Sequence, residues 1–231
     1  MKVLVTSASS EIGQQVTNAL AGIYDLVLID VPSKSSASSG IDPSNLGHGG
    51  EIEEVLDGVN AVIHIGFGGQ EGDDRYLIDY YTRCTYNLYK ACVNAGVKQA
   101  FYLSTLRLLE DYDQHLTVTN QWKSLPSTDP HILSAHLGEY VTREFARESQ
   151  ISMAVLRLGF PIVHGTRSDA AATGISSALA TDDLYVALRT ALETRLPNWK
   201  VLHVQSPLEQ ARFLMTDTVS VINYPPDTGG D

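Results

Sequence analysis

The chain is predicted to adopt an α/β fold, a doubly wound parallel sheet with a short C-terminal appendage on the side where a substrate would sit. Two observations carry this. Short β-branched runs alternate with helical stretches throughout, the pattern produced by right-handed crossovers and a parallel sheet covered on both faces. The first thirty residues, MKVLVTSASSEIGQQVTNALAGIYDLVLID, read strand, tight turn, helix, strand and then an acid, Asp30. That is the layout of a dinucleotide-binding βαβ unit, in which the helix N-terminus holds a pyrophosphate and the acid holds a ribose. Together they specify a Rossmann-type sheet.

The elements follow in order. Val3–Thr6 and Leu26–Ile29 are predicted strands, followed by Ala61–Ile65, Ala100–Ser104, Met153–Leu158 and Val201–Val204. Helical stretches are expected at about 11–22, 51–57, 74–95, 131–149 and 182–195. Residues 32–50, rich in Ser, Gly and Pro, and 165–181, small and flexible in composition, read as irregular loops. Residues 1–165 are expected to form the dinucleotide-binding core, and 166–231 a short lid or substrate-side segment of the same domain. In such sheets ligands bind beyond the carboxyl ends of the strands. The candidate segments are therefore Ser7–Gly13, Asp30, Gly66–Gly69, Thr105–Asp111 and Gly159–Gly165.

Bulk properties narrow the function. The chain has 231 residues, 43% of them hydrophobic, enough for one cored domain. Its formal net charge is −11 with Lys and Arg scattered, which argues against nucleic acid or an anionic membrane as partner. No apolar run approaches a membrane span, and the N-terminus opens on a strand rather than a signal peptide. The expectation is a cytoplasmic protein that takes a small-molecule or nucleotide ligand. Cys84 and Cys92 fall eight apart in one helical stretch, too far apart to bridge, and read as reduced thiols.

The first turn departs from the glycine-rich pattern. The turn positions normally held by glycine are Ser7, Ser10 and Gly13. The first glycine allows the tight turn, the second a close approach to pyrophosphate, and the third close packing of helix on strand. The two serines narrow the space while offering hydroxyls. Glu11 adds a negative charge that suits the helix dipole and opposes a phosphate.

The segments MKVLVTSASSEIG, DGVNAVIHI, TYNLYKACVNAGVKQAFYLST and LSAHLGEYVTREFARE…VLRLGFPIVHG, in this order and at this spacing, resemble the NAD-dependent epimerase/dehydratase branch of the short-chain dehydrogenase/reductases. The resemblance covers residues 1–165 well and the remainder weakly. It implies a dinucleotide site made by Ser7, Ser10, Glu11, Ile12 and Gly13, with Asp30 favouring NAD over NADP. Asn45 and Leu46 would lie at the adenine, and Gly66, Phe67 and Gly68 along the cofactor. The resemblance also implies a homodimer formed through helices 74–95 and 131–149, whose apolar stripes (Leu77, Tyr81, Leu88, Cys92; Leu133, Leu137, Tyr140, Val141) alternatively pack on the chain's own sheet.

The chemistry implied by the family is altered. Its members use a Ser/Thr, a Tyr acid/base and a Lys that lowers the Tyr pKa. Thr105 falls on the hydroxyl position, but the Y-x-x-x-K register reads His131 and Ala135, and the supporting Asn reads Tyr81. The Asp-Glu pair of dehydratases reads Leu106-Arg107. Tyr86 and Lys90 have the right spacing in the wrong helix. His64 and His164 read as structural, and His131 and His136, five apart, are poorly spaced for a shared metal, so no metal site is expected. Arg157, Arg167 and Arg189 are candidate anion contacts. Two readings follow: a non-redox nucleotide- or metabolite-binding protein, a pseudoenzyme; or an active NAD-dependent oxidoreductase on a small sugar-type substrate, using Thr105 and His131.

Overall fold

The structure, a computed structural model, describes residues 1–35, 40–47, 51–148 and 150–225. Parts of the stretches expected at 32–50, 131–149 and 166–231 therefore lie outside the described residues.

The chain opens with β1 (Lys2–Val5), which turns directly into α1 (Glu11–Leu20) and returns as β2 (Asp25–Asp30). Ser10 caps α1, its hydroxyl accepting from the Gly13 amide, and Glu11 sits in the first turn where the dipole favours it. A short α2 (Pro32–Ser35) and a two-residue β3 (Asp42–Pro43) give order to part of the expected loop, and α3 (Glu51–Val55) leads to β4 (Ala61–Ile65).

The expected helix at 74–95 is continuous but not uniform. It consists of α4 (Asp74–Asp79), a π-helical turn over Tyr80–Cys84, and α5 (Thr85–Ala95), ended by Gly96 in the left-handed conformation at φ +74. Then come β5 (Gln99–Thr105), a 3₁₀ turn at Leu106–Leu109, and α6 (Pro130–Arg147), which starts with Asp129 as cap and Pro130 in its first turn. The last third holds β6 (Ser152–Leu158), β7 (Phe160–Ile162), α7 (Arg167–Ala172), β8 (Ala178–Ala180), α8 (Thr181–Glu193), β9 (Trp199–Val204) and α9 (Thr216–Ile222). The stretch expected to be irregular at 165–181 thus contains a helix with a full capping box, Thr166 with Asp169, and a strand.

The main sheet has seven parallel strands in the order β3-β2-β1-β4-β5-β6-β9, and β7 and β8 form a separate parallel pair. The chain order reverses between β1 and β4, which is the switch point where a crevice opens. Alternation along β1 assigns the two layers. Val3 and Val5 join α1 and α8 in one core with Ile63, Phe101, Leu184 and Leu202. Leu4 points the other way, into a core with Leu77, Tyr81, Leu88 and Cys92. Residues beyond 165 supply a strand of the main sheet and part of its core, so they are structurally continuous with what precedes them. No helix among the described residues is long and apolar enough to cross a membrane.

Candidate functional site

The turn after β1 is built by its serines. Ser7 takes a left-handed conformation, φ +50, which glycine adopts without strain and serine does not. Its carbonyl accepts from both the amide (3.1 Å) and the hydroxyl (2.7 Å) of Ser10. Gly13 still meets the demand for close packing, because a Cβ there would stand 2.2 Å from the Ser7 carbonyl oxygen. Ser10 Oγ occupies the Gly13 amide at 3.1 Å. That leaves the amides of Glu11 and Ile12 at the mouth of the helix, with the Glu11 side chain exposed and Ile12 half-buried.

Asp30 ends β2 as expected, but its carboxylate is enclosed, with the residue only 1% exposed. Oδ2 accepts from the Ser9 amide (3.0 Å) and hydroxyl (2.5 Å). Oδ1 accepts from the Val31 amide (2.7 Å) and from Nε2 of Gln70 (2.8 Å). Gln70 lies in the loop after β4, in the segment GFGGQEG. Gly66 packs flat on the Tyr102 ring, where a Cβ would meet Cζ at 2.0 Å, and Gly69 is backed against Ser7. Phe67 is half-buried beneath the Arg107 guanidinium, and Gly68 is exposed at φ +70.

Two hollows flank this loop. One, about 420 Å³, lies at the carboxyl ends of the strands and is lined by Ile12, Phe67, Thr105, Arg107, Leu158 and Phe160, among others. The other, about 480 Å³ and more open, is lined by Val31, Lys34, Asn45, Gln70, Gly72 and Tyr76, among others. Asn45 is thus placed at this second hollow. Leu46 is a core residue at 1% exposure, and its carbonyl accepts from Asn87 Nδ2 at 3.2 Å.

Thr105 borders the first hollow, its hydroxyl accepting from the Arg107 amide at 3.1 Å to cap the 3₁₀ turn. His131 is not brought to it. The residue sits half-buried in the first turn of α6, its amide on Asp129 Oδ1 at 2.8 Å, and it is not part of the cavity lining. Ala135 is fully buried, and its carbonyl lies 3.4 Å from the Tyr102 hydroxyl. Tyr81 accepts the Gln70 amide at 2.9 Å and is otherwise core; burial pushes its phenol well above the ordinary value.

The other candidates are engaged elsewhere. His64 is bracketed by Thr6 (2.7 Å) and Thr85 (2.9 Å), and burial pushes its imidazole down to about 3, so it stays neutral. His164 is exposed at φ +55. Arg157 forms a buried bidentate pair with Glu139 (2.7 and 2.9 Å), which also accepts from Ser104 Oγ at 2.6 Å. Arg167 pairs with Asp183, and Arg189 Nε donates to the Ala19 carbonyl. Of the two helical stripes, Leu77, Tyr81, Leu88 and Cys92 turn into the protein's own core, while Leu133, Leu137 and Val141 are half-buried and Tyr140 is exposed. Cys84 and Cys92 are free thiols, both buried.

Around Asp30, Ser9 lies in the candidate segment Ser7–Gly13, whereas Gln70, Tyr76 and Tyr80 are residues that sequence reasoning missed. The available signals were two polar residues, Gln70 and Glu71, in a glycine-rich segment and three tyrosines at 76, 80 and 81, close enough to share one end of a helix.

Comparison with known proteins agrees with this geometry. Uronate dehydrogenase from Agrobacterium tumefaciens superposes with a TM-score of 0.78 at 18% identity, covering 94% of this chain and 80% of that one. UDP-glucuronic acid 4-epimerase from Bacillus cereus, in complex with NAD, gives 0.73 at 16%, covering 98% and 92%. MoeE5 in complex with UDP-glucose and NAD gives 0.75 at 18%, covering 96% and 92%. At these identities the likeness establishes the fold. No curated protein matches the sequence significantly. A family model, however, spans residues 3–184, from β1 through the crevice to the start of α8, and by that match the chain belongs to the NAD dependent epimerase/dehydratase family.

Proposed function

We propose that the protein is a nucleotide- or metabolite-binding member of its family that performs no hydride transfer. One observation carries this reading. The hollow bordered by Thr105 lacks the family's Tyr–Lys pair: His131 stands outside its lining, the neighbouring register position is the fully buried Ala135, and the carboxylates that do line it, Glu11 and Glu110, are exposed, with Glu110 paired to Arg107. A proton transferred at a carbinol needs a group within hydrogen-bond reach of it. Thr105 offers a hydroxyl that can orient a ligand, and among the described residues its hydroxyl is bonded to the Arg107 amide rather than to a tyrosine or lysine.

NAD is the nucleotide to expect, because a carboxylate at the end of β2 suits ribose hydroxyls and repels a 2′-phosphate. Bound there, it would supply a hydride acceptor next to the Thr105 hollow. The residues fit one end of such a group. The Glu11 and Ile12 amides at the start of α1 are positioned for a pyrophosphate, and Gly13 keeps the helix close to the strand. They do not fit the other end as it stands, because Asp30 is enclosed and both its oxygens are engaged. No reaction step is therefore assigned to the cofactor.

The test is to measure NAD binding calorimetrically and, separately, NADH formation with uronic acids and UDP-sugars, the compound classes named for the structural neighbours. Binding without NADH formation is expected. Turnover with any of these substrates that is lost in His131→Ala would overturn the non-redox reading in favour of an oxidoreductase using Thr105 and His131.

A further inference from the structure

Three of the four donors on Asp30 are local: the Ser9 amide, the Ser9 hydroxyl and the Val31 amide. The fourth is Gln70 Nε2, which also donates to Ser7 Oγ at 2.9 Å. One carboxamide thus bridges the turn after β1 and the acid at the end of β2, the two features that the ribose and phosphate of a nucleotide bridge when bound. Gln70 is held there on every side. Its amide donates to Tyr81, its Oε1 accepts from Tyr76 at 3.1 Å, and it is 1% exposed. Tyr80 completes the wall, its hydroxyl 3.1 Å from Ser7 Oγ.

We propose that Gln70 is an intramolecular occupant of the ribose subsite and decides which nucleotides enter the crevice. A ribose reaches Asp30 only when the carboxamide withdraws. This rests on the reading above that the crevice takes NAD. Gly68, exposed at φ +70 with nothing within 4 Å of where its Cβ would lie, is the point in the loop where the backbone has room to change. A dinucleotide therefore competes with a charge-assisted hydrogen bond already made. A small ligand confined to the Thr105 hollow does not compete, because Gln70 does not line that hollow.

The experiment is calorimetric titration of NAD, AMP and 2′,3′-dideoxy-AMP into the wild type and Gln70→Ala. The variant is expected to bind NAD and AMP at least about tenfold more tightly, a difference of about 1.4 kcal/mol. The gain is expected to be much smaller for the dideoxy probe and to vanish when Asp30→Asn is added. An unchanged or weaker NAD affinity in a cooperatively folding Gln70→Ala overturns the role of Gln70 alone, as does an equal gain for both AMP probes. No NAD binding by either protein at millimolar concentration overturns this role and the NAD reading together. Tyr81→Phe, which loosens the loop without removing its side chain, is expected to show a smaller gain in the same direction, and no gain there counts against the proposal even if Gln70→Ala does not fold.

Discussion

Tyr102 and Gly138 touch so closely that no side chain fits between them: a methyl group on Gly138 would stand 1.9 Å from the Tyr102 hydroxyl and 2.5 Å from Cζ. The contact sets the height of α6 over β5 and so the position of His131 and Ala135. Gly138→Ala is expected to cost about 1–3 kcal/mol by overpacking, read from urea denaturation. Tyr102→Phe in the same background leaves the ring carbon in the way and is expected not to restore stability, whereas Tyr102→Leu should recover part of it.

The buried pair of Arg157 and Glu139 is a second sensitive point. Both side chains are under 10% exposed, and the guanidinium meets both carboxylate oxygens and the Ser124 hydroxyl. Removing one partner strands the other charge, so Glu139→Ala is expected to destabilise the fold by roughly 3–5 kcal/mol. The double change Glu139→Leu with Arg157→Met is expected to cost clearly less than the sum of the single changes, because no charge is left unpaired. A double-mutant cycle in denaturant checks this.

Stability should fall on mild acidification. Burial pushes His64 and His203 down to about 3, the Arg157 charge adding to the effect at His203. An unfolded histidine titrates near 6.5. Between these values the unfolded chain binds protons that the folded one refuses, so this stability is complete above about pH 6.5 and is lost progressively towards pH 3. The slope approaches about 1.4 kcal/mol per pH unit for each histidine. Urea midpoints between about pH 5 and 6.5, above the ordinary carboxylate range, read the effect, to which His136, also pushed down by burial, adds. His64→Gln is expected to remove one histidine's share.

Ser10 tests what became of the glycine turn. If its hydroxyl serves as a helix cap, Ser10→Ala should cost about 1 kcal/mol and Ser10→Gly only a few tenths. Thermal melts of the two variants decide. A loss larger for glycine than for alanine would show that the cap is not the reason for the serine.

Thr105 has two duties, capping the 3₁₀ turn and facing the hollow. Thr105→Val should lose about 1 kcal/mol of stability and weaken any ligand bound in the hollow. Thr105→Ser is expected to retain both, as measured by melting temperature and ligand titration.

Much of the architecture was legible because it rests on local pattern. Val3–Thr6 and Ala61–Ile65 are runs of buried residues that only a covered strand explains, and Ser10 and Gly96 mark helix ends through their own conformational preferences. The short elements were not legible. Phe160–Ile162 and Ala178–Ala180 are strands because each pairs with the other, a fact that no three-residue window contains. At the site, Asp30 was placed correctly at the end of β2, but its enclosure was not foreseen. The group that encloses it lies forty residues away, and Gln70 carries no periodic pattern that points to Asp30. Ala135 reads as a lost lysine from sequence, and what occupies the space around it, Tyr102 and Gly138, emerges only from packing.

The π-helical turn at Tyr80–Cys84 has a further consequence. An i→i+5 turn holds one more residue than the α-helical ladder on either side of it. Here the widened turn lets two consecutive tyrosines act in one place, Tyr80 on Ser7 and Tyr81 on the Gln70 amide, with their rings edge to face at 5.2 Å. In an unbroken α-helix, neighbours diverge by about 100° around the axis. The length of the helix between Asp74 and Ala95 is therefore part of the crevice's wiring. A relative whose helix is one residue shorter here, aligned without a gap, would look like a protein of altered composition when it differs by a single deletion, and that deletion would take the Tyr81 hydroxyl away from the Gln70 amide.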